Sequence, residues 1–162
     1  MRLIENTRPK IEILPGGTGA HLRAMEPIAS GTVFFDFSSL PVQSERHFKT
    51  IQIGLDTHVT HPEFLSYLNH SCDPSVIVDA SRKLCYTARD LRAGDELNSF
   101  YPATEWVMSD PFPCRCGSSL CIGMIDGASK LPIQVLRRYI LNQHIVDLAL
   151  LALSRVDDTY VE

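Results

Sequence analysis

Three of the five cysteines lie within eight residues, in the segment Cys114-Arg-Cys-Gly-Ser-Ser-Leu-Cys121. Closely spaced cysteines with a glycine between them are typical of a loop that wraps Zn²⁺, which takes four thiolate or imidazole ligands in a tetrahedron. The fourth ligand must come from elsewhere. Cys72 lies in a proline-containing loop and is free to turn toward an ion. Cys85 lies in an apparent strand, where we expect it to be an ordinary small apolar residue rather than a ligand. We predict a structural zinc site at Cys72, Cys114, Cys116 and Cys121.

Length and charge narrow the class of protein. A chain of 162 residues, 44% hydrophobic, is long enough for one domain with its own core. The formal net charge of -4 argues against general nucleic-acid binding, which favours a basic face. No run approaches the ~18 apolar residues of a membrane helix, and Met1–Asn6 does not resemble a signal peptide. We expect an intracellular protein, cytoplasmic or nuclear, whose cysteines are reduced or bound to metal.

Most of the chain predicts short β-strands, and its end predicts a helix. Runs rich in β-branched and aromatic residues, bounded by turn residues, are typical of strands. They lie at residues 11–14, 32–37, 50–55, 75–79 and 84–88. Pro132 suits a first helical turn, and apolar residues from Leu136 to Leu150 recur at helical spacing. We expect a mainly β body at residues 1–127 and a helical extension at residues 128–162, packed on it.

Polar groups interrupt the apolar sequence at two places. The segment Asn69-His-Ser-Cys-Asp-Pro74 concentrates donors and acceptors, although such side chains also satisfy the backbone of an ordinary turn. Tyr101 follows an apparent strand, where a tyrosine is usually part of the core with its hydroxyl hydrogen-bonded. We expect Glu105 to be a solvated or structural carboxylate rather than a base.

Four segments together carry a resemblance that none carries alone. They are Gly17-Thr-Gly19, Asn69-His-Ser-Cys-Asp-Pro74, Gly94-Asp-Glu-Leu97 with Tyr101, and the Cys-x-Cys-x4-Cys-x-Gly segment. In this order, over roughly residues 10–127, they resemble the SET-domain family with its post-SET zinc segment. The resemblance implies a β-clip-like fold, mainly β with a C-terminal α-helix, in which the Asn-His-Ser-Cys segment threads under a loop as a pseudoknot.

The resemblance also implies S-adenosylmethionine as cofactor and assigns a site for it. Gly17 and Gly19 would bring the backbone close to the cofactor. Asn69 and His70 would hold its methionine and adenine portions. Tyr101 would contact the cofactor and act as the catalytic residue at the methyl-transfer channel. Three further aromatic residues would line the channel on the substrate side: Tyr67, Phe100 and Trp106.

The chain departs from the family pattern at several positions. Ser75 stands where asparagine is usual, and Asn98 stands where threonine is usual, so the hydrogen bonds that support the pseudoknot should be weaker. The strand Val33–Phe37 lacks a tyrosine that several lysine methyltransferases place near the amine. The segment between Phe37 and Ile51, which helps to cradle a peptide in the family, is short. Recognition would then depend on the C-terminal helix, a partner or a small substrate.

Three functions are compatible with this pattern. The first is S-adenosylmethionine-dependent methyl transfer, most readily to a lysine amine of a protein. The second is a SET fold repurposed for small-molecule biosynthesis, for example a cyclase or pericyclase that holds a hydrophobic polyene and leaves the cofactor structural or unused. The third is a non-catalytic binding module. Fold and function separate readily, and the sequence leaves the oligomeric state, monomer or dimer, undetermined.

Overall fold

Short strands make up most of the chain, as the sequence predicts. The computed structural model describes residues 9–15, 19–60 and 64–157. The strands are β1 (Ile11–Leu14), β2 (His21–Ala24), β3 (Val33–Asp36), β4 (Val42–Gln43), β5 (Thr50–Gln52), β6 (His58–Thr60), β7 (Asn69–His70), β8 (Val76–Asp79), β9 (Leu84–Thr87), β10 (Glu96–Ser99), β11 (Phe112–Pro113) and β12 (Met124–Ile125). The helices are α1 (Ile133–Leu136) and α2 (Gln143–Asp157), with 3-10 turns at Leu65–Tyr67, Tyr101–Ala103 and Ala128–Lys130.

The strands form several small sheets rather than one large one. The largest has the order β1-β2-β10-β7, and two three-stranded sheets have the orders β3-β9-β8 and β4-β6-β5. The hairpin β8–β9 is antiparallel and turns at residues 80–83, where the sequence places its turn. Strands β11 and β12 pair beside the cysteine segment.

The short strand β7 joins distant parts of the chain. It pairs in parallel with β10, so that Asn69 lies opposite Asn98 and His70 lies opposite Ser99. The Ser71 N–H continues the pairing by donating to the Ser99 carbonyl at 2.9 Å. Parallel neighbours require a long crossover connection, which the chain supplies between residues 70 and 96. This pairing brings the polar Asn-His-Ser-Cys segment next to Tyr101.

One main core lies between the sheets. Alternate residues of β2, β8 and β10 are buried, which is the period of a half-buried strand. The largest fully buried side chains of this core are Leu22, Phe37, Val59, Val76 and Leu97. A smaller cluster of Ala128, Leu136 and Ile145 packs with Trp106 and Leu141.

The C-terminal segment contains two helices where the sequence predicts one. The short helix α1 follows Pro132, as predicted, but it ends at Leu136, and α2 begins only at Gln143. Asn142 occupies the break. Its amide nitrogen donates to the carbonyls of Val78 and Ala103 at 2.9 Å, and its Oδ1 accepts the Ala80 N–H at 2.8 Å. Three hydrogen bonds to the β body at one residue compensate for the interrupted helix.

The first turn of α2 is buried and its later turns are not. His144 and Ile145 are 6% and 0% exposed, whereas Leu150 and Leu153 are 60% and 65% exposed. Residues 139–145 contact the β body, and the boundary expected at residue 127 stays a prediction. Across the described ranges, no helix has the length and apolar character needed to span a bilayer.

Candidate active site and metal centre

The four cysteines that the sequence selects meet in space. Their sulfur atoms all lie within 4.8 Å of one another. Cys72 comes from the loop after β7, and the other three come from the segment between β11 and β12. Cys85 is fully buried in β9 among core side chains, as predicted. The cluster could hold a metal ion, and its four thiols are the donor set of a structural zinc site.

The spacing of the sulfurs fits a tetrahedral ion. Zinc–sulfur bonds of about 2.3 Å give sulfur–sulfur edges of about 3.8 Å in a tetrahedron, and the Cys72 and Cys114 Sγ atoms are 3.8 Å apart. The Ile122 N–H points at the Cys72 sulfur at 3.4 Å. Burial raises the pKa of the Cys72 thiol. Burial also acts to raise the pKa of Cys116, but hydrogen bonds from the backbone of Cys72 and Ser118 lower it overall.

The Asn-His-Ser-Cys segment lies between this cluster and Tyr101. The His70 Nε2 is 3.3 Å from the Cys72 sulfur, and its Nδ1 accepts the Tyr101 N–H at 3.2 Å. Burial lowers the pKa of His70 to about 4, so the ring is neutral. Among the described residues, the Asn69 amide nitrogen makes only long contacts, 3.3 Å to Glu96 Oε1 and 3.5 Å to the Ala20 carbonyl. Asn69 therefore has hydrogen-bonding capacity left for a ligand.

Gly19 directly precedes Ala20, whose carbonyl lies 3.5 Å from the Asn69 amide nitrogen. Gly19 has φ of 119°, which L side chains rarely adopt, and a Cβ built there would meet nothing within 4 Å. The space beside its backbone is therefore open. Gly17, the other predicted cofactor contact, lies outside the described residues.

Ser75 and Asn98, two residues that depart from the family pattern, form hydrogen bonds with each other. The Ser75 Oγ donates to the Glu96 carbonyl at 2.9 Å and accepts the Asn98 N–H at 3.0 Å. The Ser75 N–H in turn donates to Asn98 Oδ1 at 3.0 Å. The expected weakening at Ser75 is therefore not found, because a serine and an asparagine together make these bonds.

Tyr101 connects the His70 side of the site with a cavity on the other side. Its hydroxyl donates to the Leu68 carbonyl at 2.9 Å, and burial raises its pKa. The hydroxyl therefore stays protonated and fixed in direction. Tyr101 also lines the cavity, together with residues that include Ile51, Leu65 and Leu68.

Glu105 lines the same cavity, and of the two roles expected for it, a solvated or a structural carboxylate, its burial excludes the solvated one. It is 6% exposed. Its Oε1 accepts the Gln52 N–H at 2.8 Å and the Thr104 hydroxyl at 3.2 Å. Burial raises the pKa of Glu105 to about 7, against the opposing effect of these bonds. Nothing in the local sequence predicts this, because the residues that bury Glu105 come from β5 and from the segment after β6.

The three aromatic residues assigned to a channel lie outside the walls of this cavity. Tyr67 packs against the main core, and Trp106 packs against the C-terminal cluster. Phe100 is 3% exposed and stacks on Tyr139, with ring centroids 3.5 Å apart. Phe112 was not predicted as part of the site from the sequence. Its ring centroid lies 6.5 Å from that of His70 and 6.2 Å from that of Tyr101. An aromatic residue two positions before Cys114 was the available signal.

Comparison with known proteins identifies this arrangement. A family model described as SET domain matches residues 19–102. The methyltransferase flvH of Aspergillus flavus is 36% identical over 142 residues, which cover 85% of this chain and 80% of that protein. A histone-lysine N-methyltransferase of Chaetomium globosum, specific for lysine 36 of H3, is 38% identical over 79 residues. That match covers 41% of this chain but 9% of that protein.

A solved structure agrees with the fold. The crystal structure of KRYPTONITE in complex with mCHG DNA and SAH matches with a TM-score of 0.60 and 19% identity, over 72% of this chain and 29% of that one. At this identity the likeness concerns the fold alone. The family match covers more than half of the chain, and the flvH match covers most of both proteins. The chain therefore belongs to the SET domain family and is an S-adenosylmethionine-dependent methyltransferase.

Proposed function

We propose that this chain is a protein-lysine N-methyltransferase that transfers a methyl group from S-adenosylmethionine to a side-chain amine. One observation carries the proposal: Tyr101 contacts His70 of the polar segment on one side and lines a cavity on the other. A cofactor held at the polar segment and an amine held in the cavity would meet at this tyrosine. The substrate would be a lysine of a nuclear or cytoplasmic protein.

The residues present fit the cofactor and a structural zinc ion. Asn69, with unused hydrogen-bonding capacity, and the open backbone at Gly19 would hold the amino-acid and ribose portions, and the rings of His70 and Phe112 would pack on the adenine. The cysteine cluster would hold Zn²⁺, and that ion would keep Cys72, and with it His70, in place. S-adenosylmethionine, when bound, supplies an electrophilic methyl group on a sulfonium.

The chain itself contributes alignment and exclusion of water. In-line displacement depends on holding the nucleophile at the correct distance and angle. The Tyr101 hydroxyl donates to the Leu68 carbonyl, which fixes the direction of this polar group at the edge of the cavity. Leu65 and Leu68 are buried and give the cavity apolar walls, which favour the neutral form of an amine.

A second candidate is methylation of a free small amine. The chain spans most of flvH but less than a tenth of the Chaetomium globosum histone enzyme, and the segment between Phe37 and Ile51 builds only the two- and three-residue strands β4 and β5. A long groove for a peptide is therefore not evident in the described residues. A cyclase acting on an apolar polyene is disfavoured, since the relatives named above are methyltransferases.

Turnover assays distinguish these candidates. Zinc-replete protein is incubated with S-adenosylmethionine labelled in its methyl group and with either core histones and lysine peptides or free alkylamines and diamines. Methylated protein supports the first proposal and methylated amine the second. Tyr101→Phe should reduce turnover, whereas Tyr86→Phe, a matched change on β9, should not. Absence of transfer to every amine tested would refute both.

A further inference from the structure

The cavity beside Tyr101 contains the Glu105 carboxylate, and within the described residues only one of its two oxygens accepts hydrogen bonds. Glu105 is more than nine-tenths buried, and its Oε1 alone accepts the bonds from Gln52 and Thr104. Across the described ranges, Oε2 accepts no hydrogen bond. It is also not one of the fully inaccessible side-chain atoms that lack a partner, so part of its surface is open. The second oxygen of Glu105 is therefore reached from the cavity that the residue lines.

Within the described residues no cation forms a direct ion pair with this carboxylate, although the charge of Arg46 acts on it and lowers its pKa by less than burial raises it. None of the ion pairs found in the described ranges includes Glu105. The exposed Arg46 uses its guanidinium on the Val107 carbonyl, and the Lys49 ammonium lies over the Phe48 ring at 5.4 Å. A buried ionised carboxylate is costly unless it is paired. A bound molecule that carries a cation would supply this pairing; without one, the raised pKa keeps the carboxyl protonated up to about pH 7.

The dimensions of the cavity define that molecule further. The cavity has a volume of about 60 Å³. At roughly 10–15 Å³ for each water-sized group, it holds about four to six small groups. The walls include the aliphatic residues Ile51, Leu65 and Leu68. A short alkyl chain that ends in a charged nitrogen is of this size, and its carbons would contact the aliphatic walls.

From this geometry we infer that Glu105 is the substrate-binding carboxylate of the site: it pairs with the ammonium of a primary alkylamine and accepts its proton before methyl transfer. The inference rests on the proposed function and deepens it. It also replaces the expectation that Glu105 is no base. The same chemistry is offered by a lysine side chain of a protein and by a free amine, so the experiment below has an arm for each.

The proton and electron balance is simple. The ammonium N–H bond breaks, its proton passes to Glu105 Oε2, and the nitrogen keeps the electron pair. The neutral amine nitrogen then forms a bond to the methyl carbon as the carbon–sulfur bond of the sulfonium breaks, and the electron pair of that bond goes to sulfur. A carboxyl with a pKa raised to about 7 by burial takes and releases a proton near neutral pH.

Binding of a small probe tests the inference without requiring turnover. The zinc-replete protein, saturated with S-adenosylhomocysteine, is titrated with n-butylamine and with n-butanol, which has a similar size and no charge. We expect the wild type to bind the amine at least about tenfold more tightly than the alcohol, since a charged hydrogen bond is stronger than a neutral one. Glu105→Gln should abolish the preference, and Glu105→Asp should retain part of it.

The control for this titration is Glu45→Gln, the same chemical change at an exposed position two residues before the cavity wall at His47. It should bind both probes as the wild type does. A Glu105→Gln protein that keeps the wild-type preference overturns the inference. If that variant does not fold, a Glu105→Asp protein whose preference is smaller than that of the wild type, while it binds S-adenosylhomocysteine normally, supports the inference, and one with the full wild-type preference overturns it.

The turnover arm separates this inference from the proposed function. A lysine peptide and a free alkylamine are each assayed with the wild type and with Glu105→Gln, which should raise KM and lower kcat for whichever substrate is methylated. Methyl transfer that is unchanged in Glu105→Gln leaves the proposed function standing and refutes the role of Glu105. If amine binding needs Glu105 but no amine is methylated, the role of Glu105 in binding stands and the proposed function is refuted.

Discussion

Burial of Glu105 makes a quantitative prediction about folding stability. Its pKa is raised by burial from 4.5 to about 7. Ionising this carboxyl in the folded chain therefore costs about 3 kcal/mol more than in the unfolded chain. Glutamine has nearly the same shape, and its side-chain oxygen can accept the same bonds from the Gln52 N–H and the Thr104 hydroxyl. Glu105→Gln should therefore remove the electrostatic cost and retain most of the contacts.

The sign follows from where the proton is bound. Below pH 4.5 the carboxyl is protonated in both states, and no penalty applies. Between pH 4.5 and about 7 the unfolded chain loses the proton while the folded chain keeps it, so wild-type stability falls as pH rises. Above about pH 7 both states are ionised and the penalty stays constant. The variant lacks this dependence entirely.

Urea denaturation of both proteins measures the effect. Between about pH 5 and about pH 8, the free energy of unfolding of Glu105→Gln minus that of the wild type should rise by about 2 to 3 kcal/mol. Both proteins keep Arg46, His47, Lys49 and the zinc cluster, so their contributions to the pH dependence cancel in the difference. A difference that does not change with pH would refute the reasoning, and Glu45→Gln should show such a flat profile.

Three further changes test the rest of the site. Asn142→Ala removes three hydrogen bonds to Val78, Ala80 and Ala103 and should lower the free energy of unfolding by about 2–4 kcal/mol in urea denaturation; a loss below about 0.5 kcal/mol would contradict this. Cys72→Ser should reduce bound zinc, measured by elemental analysis, whereas Cys85→Ser should leave it at one ion per chain; equal zinc content in both would contradict the cluster. Tyr101→Phe should lower kcat by about 10- to 100-fold with little change in S-adenosylhomocysteine affinity by calorimetry.

The local sequence was sufficient to predict those features that residues close together in the chain determine. The cysteine spacing selects a metal loop, and the strand at Ile11–Leu14 and the hairpin around residues 80–83 follow from β-branched residues and turn signals. The fourth cysteine could be chosen because Cys72 lies in a loop and Cys85 in a strand. These features need no knowledge of distant parts of the chain.

Features that depend on distant residues could not be predicted in this way. The parallel pairing of β7 with β10 involves two residues on each strand, too few for any periodicity to reveal. Glu105 resembles a surface residue in its own segment and becomes buried only when Gln52 and the cavity walls close over it. Asn142, directly before the start of α2, bonds through its side chain to Val78, Ala80 and Ala103, which are distant in sequence, and no local pattern reveals these contacts.

The contact between Tyr139 and the Asn-His-Ser-Cys segment has a consequence for synthesis on the ribosome. The Tyr139 hydroxyl donates to the Cys72 carbonyl at 2.8 Å, and its ring stacks on Phe100. At about 5–20 residues per second, the ribosome delivers Tyr139 roughly two to eight seconds after Phe100. At the start of that interval strands β1 to β10 have been made, yet the Tyr139 ring that covers Phe100 is missing. A nascent chain thus exposes Phe100 for seconds, which is ample time for a chaperone to bind it.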